Sequence, residues 1–192
     1  MPQRGEVFAA GEYYHIYNRG AGRSLIFFTP ANYEYCLRLI KHYSVHYSVA
    51  FIAYCLMPNH YHFLLRQDSD WPLSKFIGVL FNAYAQAVNQ QQARHGSLFE
   101  GRFRHRRVDR EEYLTQLCRY IHLNPVKAQL VQQPEHWPYS NYRDWIGLRA
   151  GALIDQSFVQ AHFQSSEDYH RFVTDWQDAE RAQAHLHSFM LD

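Results

Sequence analysis

His60-Tyr61-His62 places two imidazoles two positions apart, directly after the apolar run FIAYCLMPN. On a strand successive side chains alternate, so His60 and His62 face one side and Tyr61 the other. Two imidazoles about 7 Å apart along the backbone can converge on one ion. Neutral imidazole nitrogen suits Zn, Mn, Fe or Ni, and an oxygen from a third ligand moves the preference toward Mg or Mn. The apolar run places the strand centrally in a sheet, where unpartnered imidazoles are costly and a metal or a bound phosphate would satisfy both. Taken alone, the pair reads equally well as two surface histidines on a half-exposed strand.

A second group lies in EEYLTQLCRYIHLN, residues 111–124. At ~100° per residue Leu114, Leu117, Cys118 and Ile121 form one apolar stripe, and Tyr120 lies at its edge. Asn124 falls one turn later, within ~40° of Tyr120, so hydroxyl and amide share a rim position that can face a cleft. A tyrosine oxygen can attack a phosphodiester and form a covalent phosphotyrosine while a metal polarises the phosphate oxygens. Asn124 would then add an amide oxygen to the two imidazoles. The plainer alternative is Tyr120 as a core-edge aromatic and Asn124 as a C-cap before Pro125, where the helix is expected to end. Tyr113 is a rival nucleophile about 10 Å away along the axis. Its i+4 neighbour Leu117 cannot bind a metal, although Gln116 at i+3 can, so spacing favours Tyr120.

A polyanion would find its contacts between Arg94 and Arg110, where Arg94, Arg102, Arg104, Arg106, Arg107 and Arg110 stand against Glu100 and Asp109. Interleaved Phe99 and Phe103 suit stacked bases beside backbone phosphates. Arg102, Arg104 and Arg106 share one face if this segment is a strand. The alternative is a solvated basic edge that discourages aggregation. Asn18 and Arg19 end an aromatic strand and either reach the same ligand or simply make the turn.

The elements that must position these groups follow from pattern. Residues 13–18 read as a strand stopped by Arg19-Gly20-Ala21-Gly22, residues 31–47 as a helix, and 49–56 and 60–66 as a hairpin around a Pro-Asn turn. Residues 72–93 form a helix, 103–108 a strand, and Asp109 caps a helix to about Asn124. The order β-α-β-β-α-β-α predicts an α+β fold, a ferredoxin-like antiparallel sheet with one added helix. After Pro125 a Pro/Trp-rich stretch from Pro134 to Trp145 is irregular. Two helices are expected beyond Gly151, the second starting at Ser165 with Asp168 completing a capping box. The chain therefore divides into a core, 1–129, and a mostly helical extension, 130–192, packed on it.

Charge is uneven. Residues 1–154 carry 17 basic and 11 acidic side chains, a net of +6, whereas 155–192 carry 2 and 7, a net of −5. A basic body suits a polyanionic partner, and the acidic tail suits masking, self-association or completion of the core. Fifteen Tyr and thirteen Phe are unusually many for this length, and they suit packing as well as base stacking. Cys36, Cys55 and Cys118 contain no CxxC pair, so reduced buried thiols are expected, not a disulfide framework or cysteine zinc site. With no apolar leader and no membrane-length run, a soluble cytoplasmic protein is expected.

Together YHIYNRG, AYCLMPNHYHFLL, GSLFEGRFRHRRV and YLTQLCRYIHLNPVKA resemble the REP-associated tyrosine transposases, in the single-tyrosine (IS200-like) branch of the HUH endonuclease superfamily. HWPYSNYRDW continues the likeness into the extension. The resemblance implies a ferredoxin-like fold, a Mg or Mn ion, and cleavage of single-stranded DNA. The products are a 5′-phosphotyrosine link and a free 3′-hydroxyl, and the substrates are palindromic repeats folded into hairpins, which places the protein at the nucleoid. His60 and His62 match the family's histidine pair, Tyr120 its nucleophile and Asn124 its helix ligand, a position where related enzymes often carry Gln. Arg19, Arg102, Arg104, Arg106 and Arg107 are the candidate DNA contacts. A replication- or conjugation-type nickase and a hairpin-binding regulator that does not cut are the alternatives. Monomer and homodimer both stay open.

Overall fold

The computed structural model describes residues 8–175. The extreme N-terminus, where no apolar leader is expected, and residues 176–192 of the acidic tail lie outside them.

Four strands form the sheet: β1 (Tyr13–Arg19), β2 (Val49–Met57), β3 (His60–Gln67) and β4 (Arg104–Val108). They pair antiparallel in the order β2-β3-β1-β4, which is the ferredoxin-like arrangement, with the histidine strand at the centre. Alternation gives each strand two working faces. Tyr14, Ile16, Tyr61, Phe63 and Leu65 point toward α1 (Pro30–Tyr47) and α2 (Leu73–Gln91), where Ile40, Leu80 and Tyr84 complete one core. α1 starts at a reciprocal capping box between Thr29 and Asn32, with Pro30 fixing the first turn.

The opposite face carries Cys55, Met57, Leu64 and Val108 against α3 (Glu111–Lys127), whose Leu114, Leu117, Cys118 and Ile121 are buried. These are the four residues of the expected stripe. A bulge at Ile52 puts both Ile52 and Ala53 on this face.

The extension contributes α4 (Tyr142–Trp145), α5 (Gln156–His162) and α6 (Ser166–Thr174). It closes the outer edge of β2. Asn141 accepts from Tyr54 N (2.8 Å) and donates to Ile52 O (2.8 Å). Tyr139 O accepts from Leu56 N (2.9 Å), and the indoles of Trp137 and Trp145 donate to Leu56 O and Ile52 O, both at 3.1 Å. His122 of α3 joins the same network: Nε2 lies 2.9 Å from Asn141 Oδ1 and Nδ1 lies 2.6 Å from the Tyr169 hydroxyl. Among the described residues no helix is long and apolar enough to cross a membrane.

Several local expectations change. α3 begins after Arg110 with no side-chain cap, so Asp109 is not its N-cap. It also runs through Pro125 to Lys127. A proline deprives the carbonyl four residues earlier of its N–H. Here the Asn124 side-chain amide compensates, donating to Tyr120 O (2.9 Å) and, more weakly, to Ile121 O (3.5 Å). β4 starts at Arg104, which leaves Arg102 in the bend before it. Phe99 is buried in the α1/α2 core against Tyr61 and Phe81, so it is not available to stack on a base. At α6 Ser165 does cap, accepting from Asp168 N at 3.1 Å, while the Asp168 carboxylate pairs with Arg171.

Candidate active site

The site grows from the β2–β3 turn. Pro58 O accepts from Ile26 N (2.8 Å) and Phe27 N (3.0 Å), and Asn59 O accepts from Gly20 N (2.8 Å). Those bonds lock the turn against the loop after β1. A side chain at residue 20 would begin 2.0 Å from the Ser24 carbonyl oxygen, so only glycine fits this approach. Asn59 then orients His60: its Oδ1 lies 2.7 Å from His60 Nδ1. Nδ1 therefore carries the proton, and Nε2 keeps its lone pair.

His62 is 1% exposed. Its Nδ1 lies 3.0 Å from Nε2 of His15, which is fully buried on β1. Its Nε2 is buried and has no hydrogen-bond partner among the described residues. Burial, reinforced by the Arg19 charge, lowers the His60 pKa to about 4. Burial and the neighbouring His15 and His60 hold His62 well below the ordinary histidine range. Both imidazoles are thus neutral lone-pair donors, with ring centroids 5.2 Å apart. A buried orphan nitrogen beside a second neutral imidazole fits a metal ion, which would remove a desolvation cost of about 1–3 kcal/mol.

α3 brings Tyr120 to this pair. Its ring centroid lies 5.4 Å from that of His62, nearly perpendicular at 82°, and 6.5 Å from that of His15. Tyr120 and Asn124 are 9% and 8% exposed, at the edge between core and surface. The Asn124 amide nitrogen is committed to backbone carbonyls, so Oδ1 is the atom it could offer to an ion. Among the described residues no three His, Cys, Asp or Glu side chains cluster to hold a metal. An ion here would take two imidazoles and an amide oxygen and fill its remaining positions with substrate or water oxygens, a set suited to Mg or Mn. Tyr113 lies elsewhere on α3, its hydroxyl accepting from Arg110 at 3.3 Å.

The arginines divide by strand face. Arg104 pairs across from Tyr17 and Arg106 across from His15, so both lie on the histidine face of the sheet. Arg19 is on that face too, opposite His60, and donates to both carboxylate oxygens of Glu100 at 2.6 and 3.0 Å. Arg102 is exposed beside the edge strand. Arg107 does not share the site: alternation turns it to the other face, where it grips Glu12 at 2.7 and 3.1 Å. Asn18 is still within β1, opposite Tyr61, and its side chain donates to Gly101 O (3.2 Å) and accepts from Arg19 N (2.9 Å).

Two neighbours of the site escaped the sequence reading. In the sequence His15 is one more ring in the aromatic strand 13–18, and only its parity with Tyr13 and Tyr17 marks its face. Lys127 lies beyond the helix stop expected at Pro125, yet its ammonium stands 4.9 Å from the Tyr120 ring centroid. Burial there, with the charge of Arg119, lowers the Lys127 pKa.

The family model for transposase IS200-like proteins matches residues 9–124. A Haemophilus influenzae protein assigned to the REP-associated tyrosine transposases is 26% identical over 107 residues, which cover 50% of this chain and 61% of that protein. The match therefore spans less than two thirds of the relative's length. The structure of a REP-associated tyrosine transposase bound to a REP hairpin superposes with a TM-score of 0.66 at 18% identity, covering 81% of this chain and 94% of that one. At that identity the likeness concerns the fold.

Proposed function

Because the chain belongs to the transposase IS200-like family, we propose that it is a metal-dependent single-stranded DNA endonuclease and strand transferase acting on palindromic hairpin DNA, with Tyr120 as nucleophile. The observation that carries this reading is the Tyr120 ring 5.4 Å from that of His62, whose Nε2 is buried and unpartnered among the described residues. His60, His62 and the Asn124 oxygen would hold Mg or Mn, which when bound neutralises charge developing on the phosphate oxygens.

In this scheme the Tyr120 oxygen loses its proton to solvent and bonds to the scissile phosphorus as the bond from phosphorus to the 3′-oxygen breaks. The departing oxygen takes up a proton and leaves as a 3′-hydroxyl, and the enzyme keeps the 5′-phosphate on Tyr120. Attack by another 3′-hydroxyl reverses the step and joins strands. Lys127, over the ring, favours the phenolate form and offsets charge at the phosphate. Arg102, Arg104, Arg106 and Arg19 would carry backbone phosphates, and such a protein would work in the cytoplasm at chromosomal repeats.

Incubation with a single-stranded palindromic oligonucleotide and Mg or Mn, followed by a denaturing gel, tests the proposal. Wild type and Tyr113→Phe should give a covalent adduct and Tyr120→Phe none. The reverse pattern would move the nucleophile to Tyr113. No adduct with any hairpin or metal would leave a binding regulator. An adduct with unstructured single strands alone would favour a nickase.

A further inference from the structure

We propose that His15 is a positioning residue that accepts the Nδ1–H of His62 and so presents His62 Nε2 to the metal; this rests on the metal-site reading above. The two rings are nearly parallel, 16° apart with centroids separated by 5.2 Å, and the nitrogens meet at 3.0 Å. Both residues are buried, so water does not take over either role.

The bond permits two tautomeric arrangements, and they differ in consequence. With the proton on His62 Nδ1, the bond to His15 is satisfied and Nε2 has a lone pair. With His15 as donor, the His62 proton sits on Nε2, a buried atom with no acceptor among the described residues, and the lone pair faces the wrong way. Each arrangement leaves one proton on a buried ring nitrogen, His15 Nδ1 in the first and His62 Nε2 in the second, and only the first gives His62 Nε2 the lone pair that binding a cation requires.

The companion histidine repeats the logic. His60 Nδ1 is held by Asn59 Oδ1 at 2.7 Å, again leaving Nε2 for a ligand. His15 is itself held in place by Tyr17, ring centroids 4.8 Å apart, and by the edge-on Tyr120 ring at 6.5 Å. Second partners of this kind fix ring orientation and raise ligand basicity, and losing one typically weakens metal binding about 10–100-fold.

The test uses Mn²⁺ binding to the DNA-free protein, read by electron paramagnetic resonance of the free ion. Urea midpoints are recorded for every variant. Wild type should bind, His62→Ala should not, and His15→Phe should bind about 10–100-fold more weakly with its fold intact. His15→Gln, which restores an acceptor, should recover part of the loss. Two-bond ¹H–¹⁵N spectra of the metal-free wild type should place the His62 proton on Nδ1, a readout that holds even if His15→Phe misfolds. Wild-type affinity in His15→Phe, or a proton on His62 Nε2, overturns the inference while leaving the metal site standing. Absence of Mn²⁺ binding in wild type, or unchanged binding in His62→Ala, removes the metal site and this inference with it.

Discussion

Asn124 donates its side-chain amide to the backbone carbonyl of Tyr120 across 2.9 Å. The residue that would offer an oxygen to the metal is therefore fastened to the main chain of the residue that would attack the phosphate. The same amide reaches Ile121 O, whose helical partner Pro125 has removed. A short side chain bends back onto its own helix in this way, which couples the proposed metal ligand, the proposed nucleophile and the proline in one turn of α3.

Asn124→Ala should cost about 1–3 kcal/mol of stability, because the Ile121 carbonyl then lacks a donor in a buried turn. Pro125→Ala supplies the missing N–H, so the cost of Asn124→Ala should shrink in that background. Urea unfolding of the two single variants and the double variant measures the coupling, and strict additivity would show that Asn124 does not compensate the proline.

Lys127→Met should slow formation of the Tyr120 adduct about tenfold, or ~1.4 kcal/mol, the scale of a partly exposed cation over an aromatic ring. Lys127→Arg, which keeps charge and reach, should retain most of the rate. Single-turnover kinetics at saturating metal would check this, and equal loss in both variants would point to a packing role.

His122 must stay neutral in its buried place. Nε2–H donates to Asn141 Oδ1 and Nδ1 accepts from the Tyr169 hydroxyl. Burial lowers its pKa to about 4, against an opposing pull from the Asn141 bond. Between the unfolded value near 6.5 and 4 the unfolded chain takes up a proton that the folded chain refuses, so stability falls as pH falls. The loss between pH 7.5 and 5 should be roughly 2 kcal/mol, seen as the difference in urea unfolding between wild type and His122→Gln.

Arg104→Ala and Arg106→Ala should each weaken hairpin binding and flatten its log-log salt dependence by about one unit. Arg107→Ala should change that slope much less, since Arg107 faces away and pairs with Glu12. Binding isotherms across a salt series decide the matter, and three equal slopes would contradict the division of the arginines by face.

The frame of the site was legible because alternation and helical spacing are local rules. His60 and His62 on one face, the Pro58-Asn59 turn, and Tyr120 beside the stripe of Leu117 and Ile121 all follow from period alone. The strand order was not legible, and without it nothing pairs His15 with His62. Arg107 shows a rule applied too coarsely: composition grouped it with Arg106, although parity already separated them. Pro125 misled because its stop signal assumes that the orphaned carbonyl finds no donor, and Asn124 supplies one. Phe99 misled because an aromatic in a basic stretch carries no mark of whether core or solvent takes it.

The recognisable part of the chain and the part that can stand alone are not the same length. The family match stops at residue 124. Asn141 nevertheless serves Ile52 and Tyr54 in β2 as well as His122 in α3. Cutting the chain near residue 129 would open the β2 edge and strand His122 in the middle of the helix that bears Tyr120. The extension is thus a wall of the building, not an annexe. Grafting the histidines and tyrosine into another scaffold, or swapping tails between relatives, should succeed only if Trp137, Tyr139, Asn141, Trp145 and Tyr169 travel with them.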